Sequence, residues 1–532
     1  MSYSHNCYSI LKYCSLVAVL LLITRCLLII IYRLHFHPLS RYPGPLVAKI
    51  SDFYSAYHSA MGQAHLKTWQ AHERWGPVVR MGPNKLAFNS MTALHEIYNS
   101  KQVQKSKGYE TMLPAPGAYN THTCIDKALH KRKRKVISQA FSEQAMRAFE
   151  PTIIDCVDIF LEKLEQSEDG SRCGGEWSHP INISALCKYL TLDVLGHFGF
   201  GQSFEMQNSD RNHFIIDLIK AASRISGVFA QYPKLAKYRI ERFANPEISA
   251  ARQRFGKLTK ELAETRLLNH QNTKVDLFTF IIDAEDPETQ QGFTLNELWA
   301  ESRLFTIAGS DTTATALAAT FFYLSRYPEC YETLVSDVRS TFKSGTEIRS
   351  GPTLARCHYL RACIDETMRM TPPIGTSLWR EVCPDGIVVD DAFIPPGCEI
   401  GCSLYSVHHN AAIFQDSFIF KPERWLNSSD FSRTSIDQAR TAFNPFSLGS
   451  RKCVAQNMAY TELTITLAKV LWYYDIRRPE SNLDNVGAGV KGAKHARDKV
   501  MEFQIEEHLT STHEGPYLEF RLRRELIPRP PS

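Results

Sequence analysis

The chain has 532 residues, 44% hydrophobic and 22% charged, with a formal net charge of +5. That composition is globular and sufficient for a large core, which excludes a disordered or fibrous protein. The charge is too mild to argue for nucleic acid. The fourteen cysteines are scattered without paired spacing, which argues for free thiols in a reducing compartment, not a disulfide framework.

The first element is apolar. Leu16 to Tyr32 carries twelve Leu, Ile and Val residues and one charge, Arg25. At about −0.3 to −0.6 kcal/mol each, the aliphatic residues outweigh roughly +3 kcal/mol for a central arginine, so insertion into a bilayer is favourable. With Tyr13–Ser15 the stretch reaches the twenty or so residues that a spanning helix needs. A cleaved signal peptide would end in small residues, whereas this core ends in Ile-Ile-Ile-Tyr-Arg. Lys12 precedes the segment while Arg33, Arg41 and Lys49 follow it, so the positive-inside bias puts the bulk of the chain in the cytosol. The sequons Asn182-Ile-Ser184 and Asn427-Ser-Ser429 are then expected to stay unglycosylated. Next comes a proline-rich hinge, His35-Phe-His-Pro-Leu-Ser-Arg-Tyr42-Pro43-Gly44-Pro45, whose prolines suit a stiff connector.

Beyond the hinge, helical patterns dominate. Short strands are expected at Val78–Met81, Lys85–Phe88, Gly386–Val389, Glu399–Ser403 and Tyr517–Leu522, with no alternating βαβ pattern and no internal repeat. The fold class is therefore mainly α, a large helical domain with a smaller β-rich region. The charge run Lys127-Ala-Leu-His130-Lys-Arg-Lys-Arg134-Lys135 falls on a helix, with His130 and Arg134 on one face and Lys127, Lys131 and Lys135 on another. The lysine stripe is either solvated surface or a landing site for an acidic electron donor.

Thr294 to Arg326 is the longest helix, opened by the capping box Thr294-Leu-Asn-Glu297 and stopped before Pro328. Its apolar middle contains Ala308-Gly309-Ser310-Asp311-Thr312-Thr313. A glycine and a buried acid are both unfavourable there. One reading is a kinked helix whose threonines bond back to the preceding turn; the other is an opened groove in which Asp311 and Thr312 relay protons to something bound against the helix. Glu366-Thr-Met-Arg369, late in a helix over Tyr359–Met370, puts two charges on one face. By itself the pair is weak, but Pro422-Glu-Arg424-Trp425 supplies a second arginine that could close a buried Glu–Arg–Arg lock, worth about 3–5 kcal/mol when broken.

The loop Phe446-Ser-Leu-Gly449-Ser-Arg451-Lys-Cys453-Val-Ala455 ends in a lone cysteine before an apolar helix. No CxxC and no nearby histidine accompany Cys453, which excludes a zinc or iron–sulfur site. One sulfur on one iron is the haem-thiolate arrangement; an ordinary buried cysteine is the plain alternative. The tail Arg523–Ser532 is basic, proline-rich and expected to fray.

The anchor and hinge, Ala-Gly-Ser-Asp-Thr-Thr, Glu-x-x-Arg, Pro-Glu-Arg-Trp and the Phe446–Ala455 loop, in this order and across nearly the whole chain, resemble the cytochrome P-450 haem-thiolate monooxygenases. The hinge and the run Tyr405–Asn410 are similar to fungal microsomal members, many of which tailor secondary metabolites. The resemblance implies a lumenal N-terminus at 1–12, an anchor at 13–32, a hinge at 33–50 and one monooxygenase domain at 51–532, in the endoplasmic reticulum membrane.

Further implications concern the site. Cys453 would be the fifth ligand to haem iron, with Gly449 turning tightly beneath the porphyrin and Phe446 packing against it. His130, Arg134, Arg380 and Arg451 would meet the propionates, although Arg380 could also be a surface arginine. Asp311 and Thr312 would deliver protons while one atom of O2 enters a C–H bond and the other leaves as water. Ala455 departs from the family's usual glycine.

No flavin- or NADPH-binding region is left over, so electrons are expected from NADPH through a separate cytochrome P-450 reductase. Lys105–Thr123, Pro373–Trp379 and Leu509–Thr512 would shape an apolar pocket for a hydrophobic substrate, with Phe305, Ile374, Leu378 and Trp379 in its lining. Ile225, Val228 and Phe229 would add membrane contact near its entrance. An oxygen-independent haem-thiolate isomerase or dehydratase, or a non-catalytic membrane haem protein, remain the alternatives.

Overall fold

The computed structural model describes residues 2–113, 115, 117–165, 175–238, 246–268, 276–282, 284–285, 292–427 and 431–523. Most of the sequon at Asn427 and of the tail after Arg523 lies outside them, as do Pro114 and Pro116 in the pocket loop.

The apolar N-terminal run forms helix α1 (Ser2–Ile31), continued by a π-helical turn at Tyr32–Phe36. Leu11–Phe36, with mean hydropathy 2.8, is long and apolar enough to cross a membrane, and its strongest window has none of its residues buried by protein. The hinge that follows is fastened to the globule. Arg80, 0% exposed, donates to Arg33 O at 2.8 Å, its backbone N–H donates to Pro43 O at 2.7 Å, and Leu39 is fully buried.

All five expected strands form. β1 (Val78–Gly82) and β2 (Lys85–Phe88) are joined by β3 (Val103–Lys105), β4 (Arg380–Val382) and β5 (Glu399–Cys402) in one sheet of order β1–β2–β5–β4–β3. The run from Gly386 becomes a hairpin strand over Ile387–Val389, and Tyr517–Leu522 pairs with Ile181–Asn182 and Tyr474–Arg477. β3 and β4 run antiparallel with Lys105 directly opposite Arg380. Like charges in that position are destabilising on their own, so the register calls for an explanation.

The helices that frame the interior are α2 (Met91–Asn99), α3 (Lys127–Ala140), α4 (Glu143–Leu164), α5 (Ile183–Phe200), α6 (Phe214–Gln231), α7 (Leu295–Arg326), α8 (His358–Met370) and α9 (Gln456–Tyr473). The expected capping box opens α7, since Thr294 accepts from the Glu297 N–H and Glu297 accepts from the Thr294 N–H. From Thr313 to Leu324 every residue of α7 is buried. It packs on α5, α8 and α9, and side chains such as Leu317 and Phe322, both 0% exposed, each contribute about 1.5–3 kcal/mol by leaving water. A second, smaller apolar cluster lies between the sheet and α2.

Candidate active site

The Phe446–Ala455 loop is held by its own backbone. The Cys453 N–H donates to Phe446 O at 2.9 Å and the Lys452 N–H to Gly449 O at 3.2 Å. Gly449 has φ +69°, and a Cβ there would sit 2.1 Å from the carbonyl oxygen of Tyr98 at the end of α2. Only glycine fits both the left-handed conformation and that approach. The Phe446 ring meets Tyr460 at 5.2 Å, and the Tyr460 hydroxyl donates to Asp365 at 2.8 Å. Cys453 is accessible to solvent, yet burial is the largest influence on its thiol and pushes its pKa up, opposed by a backbone hydrogen bond from Ala455 and by the Arg134 charge.

Six basic side chains converge nearby from separate elements. They are Lys105 on β3, His122 in the loop before α3, His130 and Arg134 on α3, Arg380 on β4, and Arg451 beside the cysteine. Arg451 donates to Cys124 O at 2.7 Å and Ile125 O at 3.0 Å, Arg380 to Leu378 O at 3.1 Å, and Arg134 to Lys452 O at 2.6 Å. Among the described residues none of the six joins an ion pair. Their mutual repulsion is visible in the titration of the group. Burial, then Arg451, Lys105, Arg134 and Arg380, push His130 down to about 3. Burial, then Arg380 and Arg451, push Lys105 well below its ordinary value. Arg451 falls to about 10 by burial, partly offset by Cys124. Basic side chains crowded together with no ion pair among the described residues repel one another, so this cluster suits an anion.

In α7 the helix is continuous through Gly309. There α5 packs close, and a Cβ would meet the Leu195 side chain at 2.9 Å. Thr312 is half-buried and its hydroxyl donates back to Ala308 O at 2.9 Å. Asp311 is 5% exposed and its carboxylate turns away from Thr312, accepting from Thr510 at 2.8 Å. Burial raises its pKa, opposed by Lys188 and by the Thr510 hydrogen bond. The two neighbours thus belong to different environments, and no direct Asp311–Thr312 hydrogen bond is present.

Behind the loop, Glu366 and Arg369 are both 0% exposed and paired through two hydrogen bonds of 2.8 and 2.9 Å. Glu366 also accepts from the Trp425 indole at 3.0 Å and from the Lys421 N–H at 3.0 Å, with Arg424 Nε 3.5 Å away. Burial alone would raise the Glu366 pKa, but Arg369 and Arg424 outweigh it and hold the carboxyl below its ordinary range. Arg369 donates onward to His408 O at 2.8 Å and Ser417 O at 2.7 Å, which stitches α8 to the segment carrying Trp425.

The family model for cytochrome P-450 matches residues 42–490. The chain belongs to the cytochrome P-450 family. It is 38% identical to the cytochrome P-450 monooxygenase AKT7 of Alternaria alternata over 92% of this chain and 94% of that one. It is 36% identical to the monooxygenase apf7 of Gibberella fujikuroi over 93% and 96%, and 37% identical to atnE of Emericella nidulans over 92% and 93%. The chain is thus a P-450 monooxygenase, an oxidoreductase of a family whose cofactor is haem held by a cysteine thiolate.

The residues of this P-450 fit that cofactor. The one sulfur in the loop is accessible, and Gly449 leaves room only for backbone. The basic cluster suits the two carboxylates of a haem edge, and it includes Lys105, which faces Arg380 across the β3–β4 ladder. Lys188 was not singled out by sequence reasoning, while Lys105, His122 and Thr510 were placed only within pocket-shaping stretches and Trp425 only within the Pro-Glu-Arg-Trp motif, because their partners are recruited by long-range packing. Phe305 is buried, with its ring 5.2 and 6.1 Å from those of Phe141 and Phe198. Phe229 is also buried and offers no membrane contact, whereas Ile225 and Val228 are half-buried. Ile374 and Leu378 are half-buried, and the Trp379 indole donates to Gln231 at the end of α6 at 3.0 Å.

Proposed function

We propose that this P-450 inserts one oxygen atom of O2 into a C–H bond of a hydrophobic small molecule, as a tailoring step of fungal secondary metabolism. The observation that carries the proposal is the accessible Cys453 thiol in the same region as six basic side chains that, among the described residues, join no ion pair. In this reading Cys453 would hold the haem iron, and Arg451, Arg380, Arg134 and His130, with Lys105 and His122, would hold the propionates. Once bound, a thiolate-held haem would supply the oxygen activation.

The chain's own residues do the rest. The fixed loop orients the sulfur, Thr312 lies beside Asp311 on α7 as the second member of the proton-delivery pair, and burial raises the Asp311 pKa against the opposing pull of Lys188 and Thr510. The buried Glu366 lock keeps the loop from moving. Lys127, Lys131 and Lys135 are exposed on α3, on the side opposite His130, and serve as the landing site for an NADPH–cytochrome P-450 reductase. Residues 13–32 anchor the protein in the endoplasmic reticulum membrane, 33–50 form the hinge, and 51–532 the cytosolic catalytic domain.

The test is co-expression with a reductase. Membranes carrying the protein, reduced and exposed to carbon monoxide, are expected to show the red-displaced Soret band of thiolate ligation. Metabolite profiles are expected to gain an oxygenated product that a Cys453→Ser control lacks. A product formed equally well without NADPH and O2 refutes the monooxygenase reaction for this chain.

A further inference from the structure

We propose that Thr510 and Ser223 are positioning residues for Asp311, a hydroxyl bridge that aims its carboxylate and ties it to the seat of α6. The inference rests on the monooxygenase reading above, and on Asp311 having a part in it.

The bridge has a fixed polarity. Thr510 owns one hydroxyl proton and donates it to Asp311 Oδ2 at 2.8 Å. The 2.8 Å contact between Thr510 Oγ1 and Ser223 Oγ must then be donated by Ser223. Ser223 in turn accepts from the N–H groups of Thr510 at 2.9 Å and Leu509 at 3.3 Å. Every proton in the chain points toward Asp311, the orientation that favours a carboxylate. Ser223 and Thr510 are 5% and 7% exposed, and beyond Ser223 the partners are peptide groups, which give up no proton at neutral pH. The bridge is therefore a support and not a proton wire to solvent.

The same segment is clamped on three sides. Ser511 donates to Pro373 O at 2.8 Å, next to the turn that was expected to shape the pocket. Thr315, one turn along α7, donates to Asp311 O at 2.7 Å and reaches Ser511 O at 3.5 Å. Against α6 the approach is closest, because a Cβ on Gly227 would lie 2.7 Å from the carbonyl carbon of His508 and 2.8 Å from Ser59 Oγ. With no slack between α6 and residues 508–510, a displacement of α6 is passed to Thr510 and from there to Asp311. The charged group facing Asp311 is Lys188 on α5. Lys188 is itself influenced by Lys220 and Asp217 on α6, and it bears on His513, already lowered by burial.

The experiment uses full-length, haem-loaded protein and an infrared pH titration of the protonated-carboxyl band that disappears in Asp311→Asn. Thr510→Val removes the one hydrogen bond that the Asp311 side chain accepts among the described residues. Because that bond favours the charged form, its loss is expected to move the midpoint up by about one pH unit. Thr510→Ser is expected to restore the wild-type midpoint. Ser223→Ala and Gly227→Ala, both on α6, are expected to move it in the same direction by less.

A midpoint unchanged in both Thr510→Val and Ser223→Ala overturns the bridge, as does a Thr510→Ser midpoint that stays with Thr510→Val. Should Thr510→Val fail to load haem, Ser223→Ala and Thr510→Ser decide alone. The carbon monoxide spectrum separates the two levels of the argument. A wild-type protein without the displaced Soret band refutes the monooxygenase reading, whereas a normal band with an unmoved carboxyl titration refutes only the bridge.

Discussion

Replacing Glu366 by glutamine tests whether the buried Glu–Arg–Arg cluster is a lock. The carboxylate accepts four hydrogen bonds, two from Arg369 and one each from Trp425 and Lys421. Glutamine keeps the shape but turns one acceptor into a donor, and it leaves two guanidinium groups, 0% and 3% exposed, without their anion. Stranding a buried charge in this way costs about 3–5 kcal/mol, a large share of the roughly 5–15 kcal/mol that holds a typical domain folded.

The internal control lies on the same helix. Arg361 pairs with Asp365 at 2.9 Å but is 51% exposed and stacks on Tyr460, so Arg361→Ala should cost about 1 kcal/mol. The measurement is the denaturant dependence of the carbon monoxide Soret band in purified, haem-loaded variants. A second arm follows from pH. A carboxyl held below its ordinary value contributes stability that is fully present above the unfolded value near 4.5 and is lost as pH falls through the folded value. Wild-type protein should therefore lose its haem in a step below the ordinary glutamate range, a step missing from Glu366→Gln. If Glu366→Gln is no less stable than Arg361→Ala, the lock is not one.

Three further outcomes are expected. Cys453→Ser abolishes the displaced Soret band while the cation cluster still retains some haem, checked by the haem-to-protein ratio after gel filtration. Gly449→Ala meets the Tyr98 carbonyl oxygen at 2.1 Å in a left-handed backbone, so haem loading should fall at least tenfold, whereas Ala455→Gly should change it little. Glu462 on α9 is buried, its Oε1 has no partner, and burial pushes its carboxyl up to about 8. A raised carboxyl loses stability as pH climbs from the unfolded value to the folded one, so stability should decline between about pH 4.5 and 8, and Glu462→Gln should flatten that slope in thermal melts.

The parts legible in the sequence were those whose signal is local. The capping box at Thr294, the period-two strands and the glycine beside Cys453 all read correctly, because each depends on neighbours within one turn or one loop. The Glu366–Arg369–Arg424 cluster was legible as spacing alone, and its Trp425 and Lys421 donors were not, since a backbone N–H and an indole become partners only once the chain folds back. Gly309 shows the limit most clearly. Its cost to the helix was visible, but its neighbour was not, since a Cβ there would meet the Leu195 side chain, more than a hundred residues away, at 2.9 Å. Lys105 was legible only as one end of a pocket-shaping stretch, because its charge gains meaning from lying opposite Arg380 in the β3–β4 register.

Helix α3 gathers these strands of reasoning, since one run of basic residues is sorted by the fold into three environments. His130 turns inward to the cation cluster. Lys133, 0% exposed, pairs with Glu297 at 2.6 Å and lies 3.7 Å from Glu301 on α7. Lys127, Lys131 and Lys135 remain exposed. Identical side chains on one helix should then fail in opposite ways. Lys133→Gln removes the cation beside buried Glu301, leaves half-buried Glu297 to Arg132, and should lower haem retention, with little effect on how reductase concentration governs the rate. Lys131→Glu/Lys135→Glu should leave the carbon monoxide spectrum and the thermal melt unchanged. It should raise the reductase concentration needed for half-maximal NADPH-driven turnover several-fold, because rim charges act on encounter. The difference should shrink as salt shortens the Debye length from about 10 Å at 0.1 M to about 3 Å at 1 M. A charge-reversed stripe that titrates with reductase like the wild type, at low salt and with an intact spectrum, removes this face of α3 from the docking surface.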